Sequence, residues 1–375
     1  MVMSIINAVQ ATYIFIVIFI VAILLSARFK KDNKFFPIET TNELKGVAIL
    51  LVVFGHIGYF LVNDHNFLFP LSAIAGVGVD IFLFLSGYGL IVSALTKPRS
   101  IKQFYKDRLV KLMVPFWLVI SAFFLMDFFI LNKAYPLDYV VSSFFGLFNS
   151  ADLYNDINSP LWYFTLILFY YIAFPLVFIK KHPWISALII YALTYVIIAL
   201  NPAWLSKVRY FHEVHMLAFP LGVLAGGLVC NTVDFRQKIA DWTERAVKNN
   251  IALKIFKYTA YCFLILILLF IIARNTYNSG VGQGIRVEQI VTMVTTLAFT
   301  VLFLIKKIEF RLMNLIGLYS YEIYLLHWPI LYRYDFIFPF LPPWLAVTAY
   351  LAVFIVLGWL LQKSSNLITK NIFKK

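Results

Sequence analysis

Long apolar runs dominate the chain, and most polar positions fall in the short stretches between them. A run of about twenty apolar residues is long enough to cross a bilayer as an α-helix. Eleven such runs occur, at 8–27, 45–62, 73–95, 112–131, 160–179, 184–200, 212–230, 256–273, 287–305, 315–332 and 344–361. The pattern predicts an all-α integral membrane protein with about eleven transmembrane helices.

The composition agrees with that prediction. Of 375 residues, 62% are hydrophobic and 13% are charged, and the mean hydropathy is +0.84. Soluble globular proteins of this length do not have such a composition. Cys230 and Cys262 both lie in apolar runs, which indicates neither a disulfide framework nor a metal site. The first run has basic residues after it and none before it, so it does not resemble a cleavable signal peptide.

The basic residues are distributed unevenly between the two sides of the membrane. Alternate connections, beginning after the first run, hold 26 of the 32 basic residues, and the opposite set holds six. The positive-inside rule then places the amino terminus outside and the carboxyl terminus in the cytoplasm of a multi-pass plasma-membrane protein. The net charge of +14 is thereby explained by topology and contact with membrane lipids, and it does not indicate nucleic-acid binding. The largest connections, 132–159 and 231–255, are too short to fold independently.

The second run carries a cation at its start and an imidazole deep inside. Eleven helical steps separate Lys45 from His56, which is roughly 1100° of rotation and about 16 Å of rise, so both lie on one helix face. An ionisable group at that depth usually faces a protein interior or a water-filled cavity. His56 is therefore either a functional residue or a buried histidine bonded to a neighbouring helix.

The third run contains the segment GVGVDIFLFLSGYGLI, from Gly76 to Ile91. A carboxylate next to a histidine can orient it and fix its tautomer, so Asp80 is a candidate catalytic partner. The alternative is an interfacial, solvated Asp80. We expect Ser86 to bond backbone in a kinked Ser-Gly segment, and we do not predict it as a nucleophile.

A basic, amphipathic stretch leads into the fourth run. Arg108, Lys111 and Pro115 are spaced i, i+3 and i+7 and share one helix face. Pairs of basic residues at the entrance to a site near the membrane surface can bind phosphate groups, and arginine can form two hydrogen bonds to one phosphate. A cluster that contacts anionic lipid headgroups would have the same composition.

Two outer connections carry polar residues of a kind that can bind sugars. The connection 132–159 combines carboxylates with aromatic rings, which suit carbohydrate, although a solvated loop explains them equally well: Asp138, Asp152, Asp156, Tyr135, Tyr139 and Tyr154. Near 212 the sequence is FHEVH. A zincin motif needs histidines four apart, whereas His212 and His215 are three apart with no third ligand in view, so no metal site is predicted. His212, Glu213 and His215 are expected at the outer face, where they can contact an acceptor.

Together these motifs resemble acyltransferase family 3, the bacterial membrane enzymes that O-acetylate surface glycans and related acceptors. The resemblance extends from Glu43 to Leu361 and rests on five segments: Lys45-x10-His56, GVDIFLFLSGY, Arg108-x-x-Lys111-x-x-Pro115, SPLWYFTLILFYYIAFPL and YSYEIYLLHWPIL. The family has arginine where this chain has Lys45 and Lys111. Lysine keeps the positive charge but lacks the planar guanidinium group that can bind a phosphate through two hydrogen bonds. Many members also have a glutamate after the tryptophan equivalent to Trp162, and this chain has none.

The resemblance implies a ten-helix acyltransferase core at 45–375, preceded by one extra transmembrane helix and a cytoplasmic linker at 1–44. It implies transfer of an acyl group, expected to be acetyl, from cytoplasmic acyl-CoA to a hydroxyl of a cell-surface or lipid-linked glycan outside. Acetyl-CoA or another acyl-CoA is then a co-substrate, and no cofactor is expected to be bound. Some relatives end in an extracytoplasmic hydrolase-like domain, so either this chain acylates its acceptor directly or a separate extracytoplasmic protein completes the transfer.

The resemblance also suggests roles for individual residues. His56 and Asp80 are expected to be catalytic, and Lys45, Arg108 and Lys111 are expected to bind the donor. Acceptor-binding or structural roles are expected for Trp162, Tyr163, Glu322 and His327. His56 can act as a base on the acceptor hydroxyl or can carry the acyl group itself, and the sequence does not separate these two routes.

Two other functional classes remain compatible with buried polar residues in a membrane. One is a transporter that exports a glycan or a small acylated molecule, although the paired, Gly/Pro-broken half-sequences of inverted-repeat carriers are not seen. The other is a non-catalytic partner in a polymer-synthesis complex. Release of coenzyme A by the purified protein would separate the enzyme from both.

Overall fold

The computed structural model describes residues 3–30, 36–248, 250–278 and 284–373. The α-helices within these residues are α1 Ala8–Leu25, α2 Ile38–Gly55, α3 Ala75–Thr96, α4 Ile101–Leu131, α5 Leu137–Phe144, α6 Trp162–Val177, α7 Pro183–Leu200, α8 Arg209–His215, α9 Ala218–Asn231, α10 Val233–Lys248, α11 Ile251–Asn278, α12 Ile285–Ile305, α13 Arg311–Leu318, α14 Ser320–Tyr332 and α15 Pro343–Phe373. Two short strands, β1 Ala27–Phe29 and β2 Ile308–Phe310, form an antiparallel pair. The protein is an all-α integral membrane protein, as the sequence predicts.

Ten helical segments among the described residues are long and apolar enough to cross a membrane. Each of them overlaps one of the predicted runs. The remaining run, 315–332, differs because it is divided at Tyr319 into α13 and α14. Gly317, near the end of α13, packs so closely on α2 that an added Cβ would overlap the Asn42 carbonyl. Hydropathy does not report such a contact, which is why the run reads as one helix in the sequence.

Helix α2 lies at the centre of the bundle and packs against α3, α13 and α14. Glycine permits two of these close approaches, since a Cβ at Gly46 would overlap the Met313 carbonyl and one at Gly78 would overlap the Ala48 carbonyl. After Gly55 the backbone widens into a π-helical turn, His56–Leu61. Such turns occur often at functional sites. The buried helix thus carries Lys45 towards one end and His56 at the other.

The segment after α1 is tied to the beginning of α2 through the β1–β2 pair. Arg28 in β1 forms an ion pair with Glu309 in β2. Glu43 of α2 is completely buried and accepts hydrogen bonds from Lys306 Nζ and from the backbone N–H of Phe310, both at 2.5 Å. Burial lowers the pKa of Lys306, and its bond to Glu43 opposes that change. The N-terminal helix is therefore attached to the core where α2 starts.

Candidate functional site

A cavity of about 350 Å³ opens among α2, α4, α6 and α14. Its cationic side chains are Lys45 of α2 and Arg108 and Lys111 of α4. These are the three residues that the sequence predicts as donor-binding. Aromatic, apolar and polar side chains also line the cavity, among them Phe82, Ser86, Tyr163, Phe164, Ile167, Tyr171, Glu322, Tyr324 and Gln362.

The cavity carries an excess of positive charge. Lys45 is close enough to Arg108 to be repelled by it, and close enough to Glu322 to be attracted by it. None of the three cations forms an ion pair within 4 Å in the part of the chain that the structure describes. Glu322 supplies a compensating negative charge, and Gln362 beside it donates a hydrogen bond to the Leu318 carbonyl oxygen at 3.3 Å. Guanidinium and ammonium groups without fixed partners suit an anionic ligand such as a phosphate.

Tyrosines complete the walls of the cavity, and of these the sequence predicts Tyr163 as a site residue but not Tyr171 or Tyr324. Tyr171 lines the cavity together with Ser86 and lies near the Arg108 charge. The Tyr163 and Tyr324 rings meet edge to face with centroids 5.3 Å apart. The sequence does carry a signal for Tyr324, because this residue precedes His327 by three positions and therefore shares its helix face.

His56 begins the π-helical turn and contacts His327 of α14. Its Nδ1 atom lies 2.8 Å from the carbonyl oxygen of Val52 and 3.4 Å from His327 Nε2. The Nδ1 atom of His327 lies 2.9 Å from the carbonyl oxygen of Tyr324. The His56 ring also packs on Trp328, with ring centroids 5.2 Å apart. His327 is fully buried and His56 is half-buried.

These contacts define the tautomers of the neutral histidines. A carbonyl oxygen only accepts, so Nδ1 of both His56 and His327 must carry the proton. His327 Nε2 then holds a lone pair and can accept a bifurcated hydrogen bond from His56 Nδ1–H, which the Val52 carbonyl oxygen also accepts. This leaves the His56 lone pair on Nε2, for which the described residues show no hydrogen bond. A neutral imidazole in that state can accept a proton or act as a nucleophile at Nε2.

Tyr324 connects the cavity to the histidine pair. Its side chain lines the cavity, while its carbonyl oxygen accepts the hydrogen bond from His327. Its hydroxyl donates to the carbonyl oxygen of Pro160 at 2.8 Å. The residue is thus fixed at both ends, and His56 and His327 lie beyond it on the far side from the cations, because α2 and α14 run in the same direction past the cavity.

Asp80 contacts a histidine, but that histidine is His215 of α8. The Asp80 Oδ1 atom lies 2.7 Å from His215 Nδ1, and both side chains are buried. The expected pairing of Asp80 with His56 is not found among the described contacts, because α3 directs this carboxylate towards α8. Trp162 belongs to the same cluster. Its ring stacks on Phe211 and on His215, with centroids 4.9 and 5.7 Å away.

The FHEVH segment is more buried than the sequence suggests. His212 and His215 are 5% and 4% exposed, so neither lies on an open outer face. Glu213 instead pairs with Arg209. Within the described ranges, no group of three potential metal ligands occurs.

Most acidic residues of the connection 132–159 accept hydrogen bonds from within that connection. Asp156 accepts hydrogen bonds from Ser150 and from the Asp152 backbone N–H, and Asp152 accepts from Asn155. Arg333, at the end of α14, donates to Asp127 and to the Ile157 carbonyl, and so attaches the loop to the bundle.

Several rings nearby form a column that starts at His56. Trp328 stacks on Tyr332, with centroids 5.4 Å apart, and Tyr332 contacts Tyr154, with centroids 5.0 Å apart.

Tyr135 and Tyr139 of the connection 132–159 stack on each other, and their hydroxyls donate hydrogen bonds to Asp127 and Asp156, respectively. Asp138 stays exposed in the first turn of α5.

Comparison with known protein families identifies the chain at the level of its domain. A family model described as an acyltransferase domain matches residues 42–363, which is most of the 375 residues. Comparisons with curated proteins and with solved structures gave no match. The matched range contains the cavity and the histidine pair, and it begins after β1. The chain belongs to acyltransferase family 3.

Proposed function

We infer that the protein transfers an acyl group, acetyl in the first instance, from cytoplasmic acyl-CoA to a hydroxyl of a cell-surface or lipid-linked glycan on the outer side of the membrane. One observation carries this proposal. The cavity has unpaired cations at one end, and its opposite wall is Tyr324, which holds the His327–His56 pair. Acyl transfer between the two sides of a membrane needs both parts.

The cationic end suits the phosphate groups of coenzyme A. Arg108 can form two parallel bonds to one phosphate, whereas Lys45 and Lys111 act as point charges. Glu322 and Gln362 supply further polar groups near this end. The pantetheine arm would extend along α2, and the roughly 16 Å of helical rise from Lys45 to His56 brings the thioester towards the imidazole.

The lone pair on His56 Nε2 supports two balanced routes. In direct transfer, Nε2 takes the proton of the acceptor hydroxyl, the oxygen attacks the thioester carbonyl, the C–S bond breaks, and the leaving thiolate receives that proton. In a relay, Nε2 attacks the carbonyl, the C–S bond breaks and coenzyme A leaves as the thiolate. The acceptor oxygen then takes the acyl group from Nε2, which regains its lone pair, and the proton of the acceptor hydroxyl passes to the thiolate. His327 is a positioning residue in both routes, because it holds the Nδ1–H side of His56.

The distribution of basic residues supports a donor site on the cytoplasmic side and an acceptor site on the outer side. Cytoplasmic connections rich in lysine and arginine put the cationic end of the cavity on the side where acyl-CoA is made. His56 then lies towards the outer half of the membrane, next to Trp328, Tyr332 and the exposed ring of Tyr154. Aromatic rings with polar edges suit contact with a sugar.

The test is coenzyme A release by purified protein in liposomes supplied with acetyl-CoA and an extract of surface glycan. We expect thiol release that depends on the glycan, and a matching mass increase of one acetyl group on the glycan. The His56→Gln protein at equal concentration is the control. Glycan movement across the liposome membrane without thiol release would overturn the proposal and support an exporter.

A further inference from the structure

The two ends of the cavity differ in chemistry, because one end is cationic and the other is apolar or aromatic. Lys45, Arg108 and Lys111 lie at one end. At the other end the lining is apolar or aromatic: Phe82, Tyr163, Phe164, Ile167 and Tyr324. A ligand whose charged part lies on the cations extends its uncharged end into these rings. If that ligand is acyl-CoA, as proposed above, the part that reaches the rings is the acyl group.

The two tyrosines that close this end are held differently. Tyr324 is buried, donates its hydroxyl proton to Pro160 and holds His327 through its carbonyl oxygen. Tyr163 is half-buried, and its hydroxyl makes no hydrogen bond to any residue in the described ranges. Its ring is placed by packing, edge to face on Tyr324 at 5.3 Å and against Phe82 at 6.4 Å. Tyr163 can therefore be shortened without removing a polar contact of the histidine pair.

We propose that Tyr163 ends an acyl-chain subsite and restricts the donor to short acyl groups. The ring occupies the space next to Tyr324 that additional methylene groups would need, and close-packed interiors do not accommodate such groups without strain. On this proposal an acetyl group is accommodated in front of the ring, whereas the two further methylene groups of a butyryl group would overlap it. The subsite takes the apolar end of an acyl thioester.

The test compares acetyl-CoA with butyryl-CoA as donors for wild-type and Tyr163→Ala protein. One methylene in an apolar pocket is worth about 10- to 200-fold in kcat/KM. We therefore expect the acetyl-to-butyryl ratio to fall at least about tenfold in Tyr163→Ala. Tyr163→Phe keeps the ring and should keep the wild-type ratio. Phe169→Ala is the matched control, because Phe169 lies on the same helix α6 outside this cavity, and it should leave the ratio unchanged.

Binding of the two donors is measured in parallel, so that the result does not depend on transfer. Isothermal titration of the same variants with acetyl-CoA and butyryl-CoA reports the preference even for a protein that transfers nothing, and Tyr163→Leu serves if the alanine variant is not recovered. A wild-type ratio in every shortened variant, or equal use of both donors by the wild type, would overturn the proposal. Failure of the proposed function itself would look different, because the wild type would then neither bind nor use any acyl-CoA.

Discussion

The Nε2 atom of His327 lies 3.4 Å from the Nδ1 atom of His56 and joins α14 to the turn that follows α2. His327 is fully buried, and its own Nδ1–H is committed to the Tyr324 carbonyl. The pair therefore orients the His56 ring with Nδ1 turned away from reaction and Nε2 left without an assigned partner. Helix α14 thus contributes a positioning residue to chemistry that we assign to the turn after α2.

That relationship predicts a specific kinetic effect of changing His327. His327→Ala should lower kcat by about a hundredfold, the loss that a misplacement of about 1 Å can cause, while the affinity for acyl-CoA stays near the wild-type value. His327→Gln should retain more activity, because its amide oxygen can still accept from His56 Nδ1–H. His182→Ala, at an exposed position, is the control. Equal losses in kcat and donor affinity would indicate a purely structural role.

Arg108 is predicted to dominate binding of the donor. Its removal takes away charge-assisted hydrogen bonds worth about 1.5–3 kcal/mol, so Arg108→Ala should raise the Kd for acetyl-CoA at least about tenfold. Lys45→Arg should bind acetyl-CoA as well as wild type or better, since it adds a planar guanidinium group that can form two hydrogen bonds to a phosphate. Lys102→Ala, at an exposed position of α4 outside the cavity, should change nothing. Wild-type affinity in Arg108→Ala, measured by titration calorimetry, would exclude the phosphate assignment.

The buried Glu43–Lys306 pair is predicted to stabilise the attachment of α1 to the core. Removing one partner of a buried pair typically costs about 3–5 kcal/mol, because the other charge is left uncompensated. Glu43→Ala should therefore lower the thermal unfolding temperature in detergent far more than Arg28→Ala, since Arg28 is 36% exposed and such pairs contribute about 0–1 kcal/mol. Similar shifts in both variants would contradict this account.

The orientation of the chain is testable with single cysteines. Asp138, in the connection 132–159, and Gln237, in α10, are both exposed. A membrane-impermeant thiol reagent should label Asp138→Cys in intact cells, and it should label Gln237→Cys only after the cells are opened. Cys230 and Cys262 are replaced by alanine in the background. Labelling of both positions in intact cells would rule out the topology and the cytoplasmic donor site.

The sequence predicted most features that depend on local pattern. Ten apolar runs became the ten spans, because a bilayer requires about twenty apolar residues wherever a helix crosses it. The eleven-residue spacing predicted that Lys45 and His56 lie on one helix face. In the structure both lie beside α14, with Glu322 near Lys45 and His327 near His56. Spacing along one helix fixes such relations through geometry alone.

Relations between helices were predicted less well. The partner of Asp80 is His215, 135 positions away, and no pattern within α3 distinguishes that histidine from His56. The interruption at Tyr319 comes two residues after Gly317, which packs on the Asn42 carbonyl, and hydropathy carries no information on such a contact. Tyr171 and Tyr163 became cavity walls through the packing of α6 against its neighbours, which is also a tertiary effect.

Glycan acetylation by a His56→Gln protein shows whether His56 performs the acyl transfer. Glycan acetylation by His56→Gln is compared with wild type, with each value normalised to the amount of protein in the membrane. A general base supplies about 10²- to 10⁴-fold in rate, and glutamine cannot accept a proton at that position. The account predicts normal protein levels, near-normal acetyl-CoA binding and transfer reduced to about a hundredth or less. Retention of more than about a tenth of wild-type transfer, well above the residual rate expected without a general base, would contradict it.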